Sequence, residues 1–490
     1  MITALLLFAQ VQSPCQPCHA QIVASYAKTA MARTSAVDYS TTRSALPFFE
    51  PITKTTFRIT PTLELQFSKP GIIEGTRQLK WVIGSGRVGH SPLFSQGNRL
   101  FQSPLSYYTQ AAQWQLSPGF QRRPQLDLTR VVEPSCLNCH TSGFNPETLQ
   151  IDVGISCERC HGQSDRHVSS AGKVSIVNPG KLAAHERDSV CAQCHLTGSA
   201  RVAKFRSAGD TYQPGKKLSD FSAIFVGGQA EASSTIGVTS HYENLALSRC
   251  KIASGDKLSC TTCHDPHSEP TIAATHFNAK CESCHQDKPC SKAPKGDCIQ
   301  CHMPKAAGRG VDHSSYTNHS ISRKANEAKP ATGSALASFW SNEVNPRDLA
   351  LAYAVTGKSN EAKPLLEAAS KANPRDIQVL SQLAQIHDRE GREDLARPLY
   401  ESILKLEPAN PTACTNLAVI LVKAGSTNEA ILLWRQALKA NPAQTGVRMN
   451  LAQALFRQGD RTAAAAEIEE ALKYDPDQPA ARRMLNQLRP

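Results

Sequence analysis

The chain has 490 residues, of which 40% are hydrophobic and 20% charged, and its formal net charge is +12. This length suits two to four domains with a buried core, and Gly and Pro are too few for a collagen-like or low-complexity chain. There is no apolar run of the roughly 18 residues that a membrane span needs, and the basic residues are scattered, so neither a transmembrane body nor a nucleic-acid partner is predicted.

Residues 1–12 are predicted to be the remnant of a signal peptide. Met1 to Ala9 is apolar, but it lacks a basic start and is short for such a peptide. An apolar terminal helix is the alternative. A signal remnant is favoured because the first cysteine motif follows at Cys15.

Cysteine is the most informative residue type in this sequence. The chain has 17 cysteines, and 14 of them form seven Cys-x-x-Cys pairs that are each followed directly by His. Two thiols at this spacing lie on one helical turn, where each can form a thioether to a haem vinyl group, and the next His can bind the iron. The predicted attachment residues and proximal ligands are Cys15, Cys18 and His19; Cys136, Cys139 and His140; Cys157, Cys160 and His161; Cys191, Cys194 and His195; Cys260, Cys263 and His264; Cys281, Cys284 and His285; and Cys298, Cys301 and His302.

Zinc sites and disulfides are the alternatives for paired cysteines. Neither requires a His after every second Cys, and all seven pairs have one. About seven covalently attached c-type haems, with their iron, are therefore the predicted cofactors. Because haem c is attached outside the cytoplasm, the chain is expected to be exported to the periplasm or another extracytoplasmic compartment.

The spacing of the motifs predicts two different regions. Residues 20–135 hold no motif. Apolar and polar residues alternate at 57–67 and 79–86 as they do in strands, which predicts a small sheet or hairpin beside the haems. Residues 136–302 hold six motifs, so the haems should lie close together and the secondary structure should be short helices and loops.

Further histidines are candidates for the distal side of each iron. Met31 and Met303 are the thioether alternatives in this region, so most haems are expected to have two His ligands and low potentials. One remaining His, His185, lies in a polar stretch and is left as a spare. The predicted distal ligands are His90, His167, His241, His267, His276, His313 and His319.

The carboxyl-terminal part of the sequence is repetitive. Residues 326–342 are predicted to be a linker, and 343–490 repeat about four times with Gly, Ala and Pro each recurring every 34 positions. This period is that of the tetratricopeptide repeat, whose helix pairs stack into a curved solenoid. Docking of a redox partner protein is the favoured role, and a structural cap or a dimerisation arm is the alternative.

Three cysteines lie outside the haem motifs. Cys414 falls at a core position of its repeat and is predicted to be an inert buried thiol. Cys250 and Cys290 flank haem motifs, and a disulfide between them is predicted for an oxidising compartment. Two unpaired buried thiols are the alternative.

Several segments resemble the multihaem cytochromes c. They are GISCERCHGQSDRHV (154–168), LSCTTCHDPH (258–267), CIQCHMPK (298–305) and DHSSYTNHSISR (312–323). The resemblance covers residues 13–325 and is nearest to the tetrahaem cytochromes linked to hydroxylamine oxidation. It also extends to exported multihaem proteins with tetratricopeptide repeats. It implies that His167 and His267 are distal ligands, with His276, His313 and His319 in similar positions. This chain has seven motifs, so the four-haem arrangement is not transferred whole.

The predicted fold is mostly α. An irregular, haem-packed cytochrome c domain with a small β portion should precede an α-solenoid of tetratricopeptide helix pairs. The expected function is electron transfer. The alternatives are an oxidoreductase acting on a small nitrogen or sulfur compound at one open haem, and a scaffold or sensor that uses the repeats.

Overall fold

The computed structural model describes residues 13–37, 45–122, 124–206, 211–227, 235–236, 241–286, 296–308, 315–322, 335–341 and 343–489. Four predictions fall wholly or partly outside these ranges: the signal remnant 1–12, the distal ligand His313, the disulfide partner Cys290, and residues 326–334 of the linker.

A helix and a large sheet form the amino-terminal part. Helix α1 (Gln16–Tyr26) carries the first motif. The sheet has nine strands, in the order β2-β3-β4-β5-β6-β8-β9, with β1 added beside β5 and β7 beside β6. The strands are β1 (Ser35–Val37), β2 (Ala45–Glu50), β3 (Thr55–Ile59), β4 (Glu64–Lys69), β5 (Ile73–Ile83), β6 (Gly89–Gln96), β7 (Arg99–Gln102), β8 (Leu105–Tyr108) and β9 (Gln113–Leu116).

Strand alternation explains why one face of this sheet is buried. Phe57 and Ile59 on β3, and Leu65 and Phe67 on β4, point to the same side and are at most 2% exposed. The segment 57–67 spans parts of two strands, β3 and β4, joined by a turn, and 79–83 forms the end of β5, so strand structure is present where it was predicted. The sheet is larger than the small sheet or hairpin expected. Two of the additional strands, β6 and β8, carry polar side chains on a cavity-facing side, which hides their alternation in the sequence.

The region with six motifs has mostly short helices, as predicted, and it also has short strands, which were not predicted. Its helices are α2 (Pro134–Leu137), α3 (Glu158–His161), α4 (Asp165–Ser169), α5 (Ala184–His195), α6 (His241–Leu247), α7 (Arg249–Ser254), α8 (Cys260–Cys263), α9 (Ala273–His285) and α10 (Cys298–His302). Its strands are β10 (Thr141–Asn145), β11 (Gln150–Val153), β12 (Ala200–Ala203), β13 (Ser222–Gly227), β14 (Thr235–Ile236), β15 (Lys305–Gly308), β16 (Ser315–Thr317) and β17 (Leu336–Ser338). Strand β17 lies within the predicted linker and pairs with β13.

The carboxyl-terminal part is a stack of antiparallel helix pairs, which confirms the repeat prediction. The helices are α11 (Pro346–Val355), α12 (Ser359–Ala372), α13 (Ile377–Arg389), α14 (Glu393–Leu406), α15 (Pro411–Lys423), α16 (Thr427–Ala440), α17 (Thr445–Arg457), α18 (Arg461–Tyr474) and α19 (Pro479–Leu488). The recurring alanines are fully buried between helices, and the recurring glycines, such as Gly391 at φ +73°, have a positive φ at the turns. A small side chain lets paired helices approach, and a positive φ favours glycine.

Both ends of the solenoid pack against the preceding region. At its start, Ala350 and Leu351 of α11 share an apolar cluster with Val202 and Phe225 of β12 and β13. At its end, Tyr474 packs in the core of the large sheet, with its ring 6.2 Å from that of Phe101. The repeats therefore form a strap that is fixed to the rest of the chain at two points. Within the described ranges, every helix is too short or too polar to cross a bilayer.

Candidate haem-binding site

One continuous cavity gathers side chains from all seven motifs. Its volume is about 3640 Å³, several times the ~300–1,000 Å³ of an ordinary small-molecule pocket. The sheet contributes one wall through β5, β6 and β8. All seven proximal-candidate histidines line the cavity, and so do six of the predicted distal histidines, namely His90, His167, His241, His267, His276 and His319.

Most motifs adopt the helical turn that thioether attachment requires, the exception being the second, where the N–H of His140 donates to Leu137. The backbone N–H of His161 donates to the carbonyl of Cys157 at 2.9 Å, and that of His264 donates to Cys260 at 2.9 Å. The N–H of His19 makes the corresponding bond to Cys15 at 2.8 Å. Each such bond closes one turn, so both thiols and the imidazole of a motif project from the same short segment.

Thiols of different motifs approach one another. The thiol of Cys194 donates to Cys139 and, with Arg201 and Arg159 nearby, lowers the pKa of Cys139 to about 6 despite burial. The same contact and burial raise the pKa of Cys194. Such contacts show that the motifs line a shared space and do not lie in separate pockets.

Several imidazoles are oriented by backbone carbonyls. His161 Nδ1 lies 2.8 Å from Val177 O, and His167 Nδ1 lies 2.8 Å from Val174 O. A carbonyl can only accept, so each Nδ1 carries the proton and Nε2 is the nitrogen with a free lone pair. The same arrangement joins His302 to Ser322 O at 2.9 Å, His319 to Thr317 O at 3.0 Å and His90 to Gly84 O at 3.2 Å.

This orientation fits haem iron. Histidines that bind a metal usually donate their other N–H to a carbonyl or carboxylate, which fixes the tautomer and the ring direction. In each motif, the two thiols supply the covalent attachment of a c-type haem and the imidazole supplies a ligand to its iron. The residues present therefore fit the group that the motifs imply.

Three pairs of imidazole rings face each other across the cavity, two of them nearly parallel and one tilted. The ring centres of His19 and His167 are 6.5 Å apart with planes 12° from parallel, and those of His161 and His267 are 5.9 Å apart at 16°. The rings of His264 and His319 are 6.2 Å apart at 32°.

His241 belongs to a tighter cluster. Its ring centre lies 5.2 Å from that of His195 and 4.9 Å from that of His319, with nearly perpendicular planes. Burial and the three neighbouring imidazoles, His195, His319 and His264, lower the pKa of His241 to about 3. His241 is therefore neutral at physiological pH, which is the form that can coordinate a metal.

Two other histidines have different surroundings. His276 Nε2 lies 3.1 Å from the carbonyl of Cys263, so this nitrogen carries the proton and Nδ1 has the free lone pair. His185, the spare histidine of the sequence analysis, stacks on Trp340 with ring centres 4.4 Å apart, and its buried Nε2 has no hydrogen-bond partner among the described residues.

Sequence reasoning missed the groups that orient these histidines. Thr34 Oγ1 lies 2.8 Å from His140 Nδ1, and Asp265 Oδ1 lies 3.5 Å from His267 Nδ1. The carbonyls of Val174, Val177 and Ser322 act in the same way for their histidines. A backbone carbonyl leaves no signature in a sequence, and only Asp265, two positions from its histidine, offered a signal.

Comparisons with known proteins match both parts of the chain. Residues 107–162 match the family model described as cytochrome c554 and c-prime, a segment that includes the second and third motifs. Residues 347–411 and 421–488 match two tetratricopeptide-repeat models.

A curated relative is the dissimilatory sulfite reductase MccA of Wolinella succinogenes. It is 28% identical over 193 residues, which cover 33% of this chain and 24% of the relative. The chain thus aligns with about a quarter of that protein's length.

Solved structures of MamA also show similarity. MamA AMB-1 is 27% identical, with 30% of this chain and 86% of that chain covered and a TM-score of 0.28. Another structure of MamA protein is 16% identical, with 29% and 78% covered and a TM-score of 0.28. The family matches confirm the resemblance read from the sequence: the chain joins a cytochrome c554 and c-prime segment, which implies covalently attached haem c, to a carboxyl-terminal array of tetratricopeptide repeats.

Proposed function

We propose that this protein is an exported multihaem cytochrome c that carries electrons through about seven haems, most of them with two His ligands. The observation that carries the proposal is the single cavity into which all seven motifs and six further histidines project. Separate cofactor pockets would suit independent sites. A shared cavity suits a relay in which the cofactors are neighbours.

The roles of the protein side chains follow from their geometry. When bound, haem iron supplies reversible one-electron chemistry. The paired thiols anchor each group, and Nε2 atoms such as those of His161 and His167 are presented as ligands. Two imidazole ligands on one iron leave no position for a substrate, so the polypeptide favours electron carriage over bond chemistry.

The charge of the cavity supports the same proposal. Each haem carries two propionates, and basic side chains that line the cavity would pair with some of them. Six basic residues line it against four acidic ones, Glu158, Asp265, Glu269 and Glu282. The basic residues are Arg87, Arg159, Arg187, Arg249, Lys280 and Lys305.

Export is part of the proposal because haem c is attached outside the cytoplasm. The tetratricopeptide repeats are proposed to dock a redox partner protein. Helix α11 at their start and helices α18 and α19 at their end already contact the cytochrome part of the chain. A partner bound along the strap would therefore be held close to the cavity.

Spin state and carbon monoxide binding test the carrier function. The fully haem-loaded protein is expected to be purely low-spin in the ferric form and to bind no carbon monoxide when reduced at neutral pH. A full count of haems with all irons low-spin would support the carrier. Stoichiometric binding of carbon monoxide to one haem would overturn the pure carrier.

One observation favours a second candidate, an oxidoreductase with one open haem. For His140, His195, His285 and His302, the described residues place no second imidazole at the separation seen for the three pairs, and the ring nearest to His195, that of His241, is only 5.2 Å away and nearly perpendicular. The partial relative MccA carries the name of a sulfite reductase. A small sulfur or nitrogen compound would then be the substrate class. A carbon monoxide adduct that sulfite or nitrite displaces would identify this activity.

A further inference from the structure

We infer that the first, third and fifth motifs each receive the distal ligand from the segment that follows the next odd-numbered motif. His167 then pairs with His19, His267 with His161, and His319 with His264, each pair on the two sides of one iron. This inference rests on the proposed binding of several haems and goes further by assigning three ligand pairs.

The distances between ring centres agree with two imidazoles on one metal ion. A metal–imidazole bond of about 2.0 Å, plus about 1.2 Å from nitrogen to ring centre, on both sides gives about 6.4 Å. The three observed separations are 6.5, 5.9 and 6.2 Å. Direct ring stacking without a metal would bring the centres closer, as in the 4.4 Å contact of His185 with Trp340.

Tautomer and orientation support the same pairs. His167 and His319 donate through Nδ1 to Val174 O and Thr317 O, so Nε2 is the coordinating nitrogen in both. In the His161–His267 pair, His161 donates to Val177 O and His267 has Asp265 at 3.5 Å from its Nδ1. The outer-sphere partner that a metal-binding histidine needs is thus present in all three pairs.

The order of the pairs along the chain is regular. His167 follows the third motif but faces the first, and His267 follows the fifth motif but faces the third. His319 follows the seventh motif and faces the fifth. The proximity of the first and third motifs is visible independently, since Ser13, two positions before the first motif, has its Oγ 3.8 Å from Cys157 Sγ of the third.

This arrangement links neighbouring pairs through very short segments. His161 and His167 belong to different pairs but lie six positions apart, a stretch that spans at most about 20 Å. His264 and His267 are three positions apart and join the next two pairs. The odd-numbered motifs therefore form one connected series, and the distal ligand of each site is fixed by the segment that anchors the next.

His241 is left out of the series. Its ring centre lies 5.2 Å from His195 and 4.9 Å from His319, both shorter than the separation for a shared metal ion. The ring planes are nearly perpendicular and the two neighbours are almost equally close. Neither neighbour can therefore be assigned as the partner of His241 on one iron.

Counting altered haems in double variants tests the pairing. In the full-length haem-loaded protein, His167→Ala should convert one haem from low-spin to high-spin. His19→Ala/His167→Ala should also alter one haem, because both ligands serve one iron. His161→Ala/His167→Ala should alter two. The numbers are read from ferric spin-state spectra and from carbon monoxide bound per protein after reduction.

The matched control is His185→Ala, which should alter no haem. Two altered haems in His19→Ala/His167→Ala would overturn the pairing. If the wild type nevertheless carries a full set of low-spin haems, the proposed function stands. Conversely, a wild type that takes up no haem would remove the proposed function itself. Equivalent doubles at His161/His267 and His264/His319 repeat the count at the other two sites.

A methionine variant covers the case in which an alanine variant does not retain its haems. His167→Met keeps a ligand at the iron, and Met raises the potential of a haem, so one haem should titrate at a higher potential. Adding His19→Ala should change that same haem and leave the total of altered haems at one. A second altered haem would contradict the assignment.

Discussion

Lys69 and Asp477 form a buried ion pair between the sheet and the last repeat. Lys69 ends strand β4, Asp477 precedes helix α19, and both residues are at most 8% exposed. Asp477 Oδ2 also accepts from the backbone N–H of Leu126 at 2.8 Å. One carboxylate therefore joins three distant parts of the chain and fixes the end of the solenoid.

Removal of this carboxylate should loosen the junction. Asp477→Ala leaves the Lys69 ammonium buried without its partner, and breaking a buried pair in this way costs ~3–5 kcal/mol. We expect a lower melting temperature and faster hydrogen exchange at the Leu126 amide. Asp477→Asn keeps an acceptor oxygen, so the Leu126 amide should stay better protected than in the alanine variant.

The exposed pair Lys423–Glu393 within the repeats is the control. Glu393→Ala should leave the melting temperature and the Leu126 exchange rate unchanged, because exposed pairs contribute little. Equal effects of Asp477→Ala and Glu393→Ala would show that the junction does not depend on the buried pair.

The turn glycines of the repeats should be sensitive to an added Cβ. Gly391 has φ +73°, and a Cβ built there meets nothing within 4 Å. Gly391→Ala therefore tests backbone strain alone and should destabilise the repeats by ~1–2 kcal/mol. Denaturant unfolding followed by helical circular dichroism measures this effect.

A glycine within a helix provides a control for which the opposite change in stability is expected. Gly446 lies in α17, and a Cβ there also meets nothing within 4 Å. Gly446→Ala should stabilise the repeats by ~0.4–1 kcal/mol, because it restricts the unfolded chain at no cost to the folded one. Destabilisation by both substitutions would refute the strain argument.

The repeats could be predicted from the sequence because their determinants are local. Gly, Ala and Pro recur every 34 positions, and each fixes a turn, a close helix contact or a helix end within its own repeat. The attachment of the strap was not predictable. Arg99 donates to the carbonyl of Ala440, and Arg482 donates to that of Ile72 at 2.6 Å. Such contacts to backbone atoms have no sequence pattern.

The residues of the candidate site could be predicted from the sequence, but which histidines face each other could not. Seven motifs and the additional histidines are visible because thioether chemistry fixes the spacing of Cys and His. Which imidazole faces which depends on how distant segments fold together, as with His167 opposite His19. The size of the sheet was also hidden, since His90 and Ser106 turn polar groups of its strands toward the cavity.

The Cys250–Cys290 disulfide remains a prediction. Cys250 lies on α7 at the cavity wall, outside every haem motif, and an exported protein meets an oxidising environment. Peptide mapping of the unreduced, haem-loaded protein should recover the two cysteines linked. Cys414, which is fully buried in the repeats, should appear as a thiol in the same map. Recovery of Cys250 and Cys290 as free thiols would reject the link.

Gly86 tests His90 as a ligand. A Cβ at Gly86 would lie 2.6 Å from His90 Nε2 and 2.5 Å from Cε1, so Gly86→Ala should displace the imidazole. We expect one additional high-spin haem in the ferric spectrum. Gly71→Ala is the matched control, since Gly71 also has a positive φ, at +66°, but a Cβ there meets nothing within 4 Å. A low-spin spectrum in both variants would exclude His90.

Haem stoichiometry is the broadest prediction, because every proposed role depends on it. Seven intact motifs predict seven covalent haems when the chain is produced with a haem c maturation system. The intact mass should exceed that of the processed polypeptide by seven haem masses. Replacing both cysteines of one motif, as in Cys281→Ser/Cys284→Ser, should lower the count to six, since the thioether bonds hold each group independently of its axial ligands. Cys414→Ser should retain seven, because that thiol is buried among the repeat helices and does not line the cavity. A wild-type count that stops at four or five would mean that some motifs do not bind haem, and the relay through the shared cavity would then be interrupted.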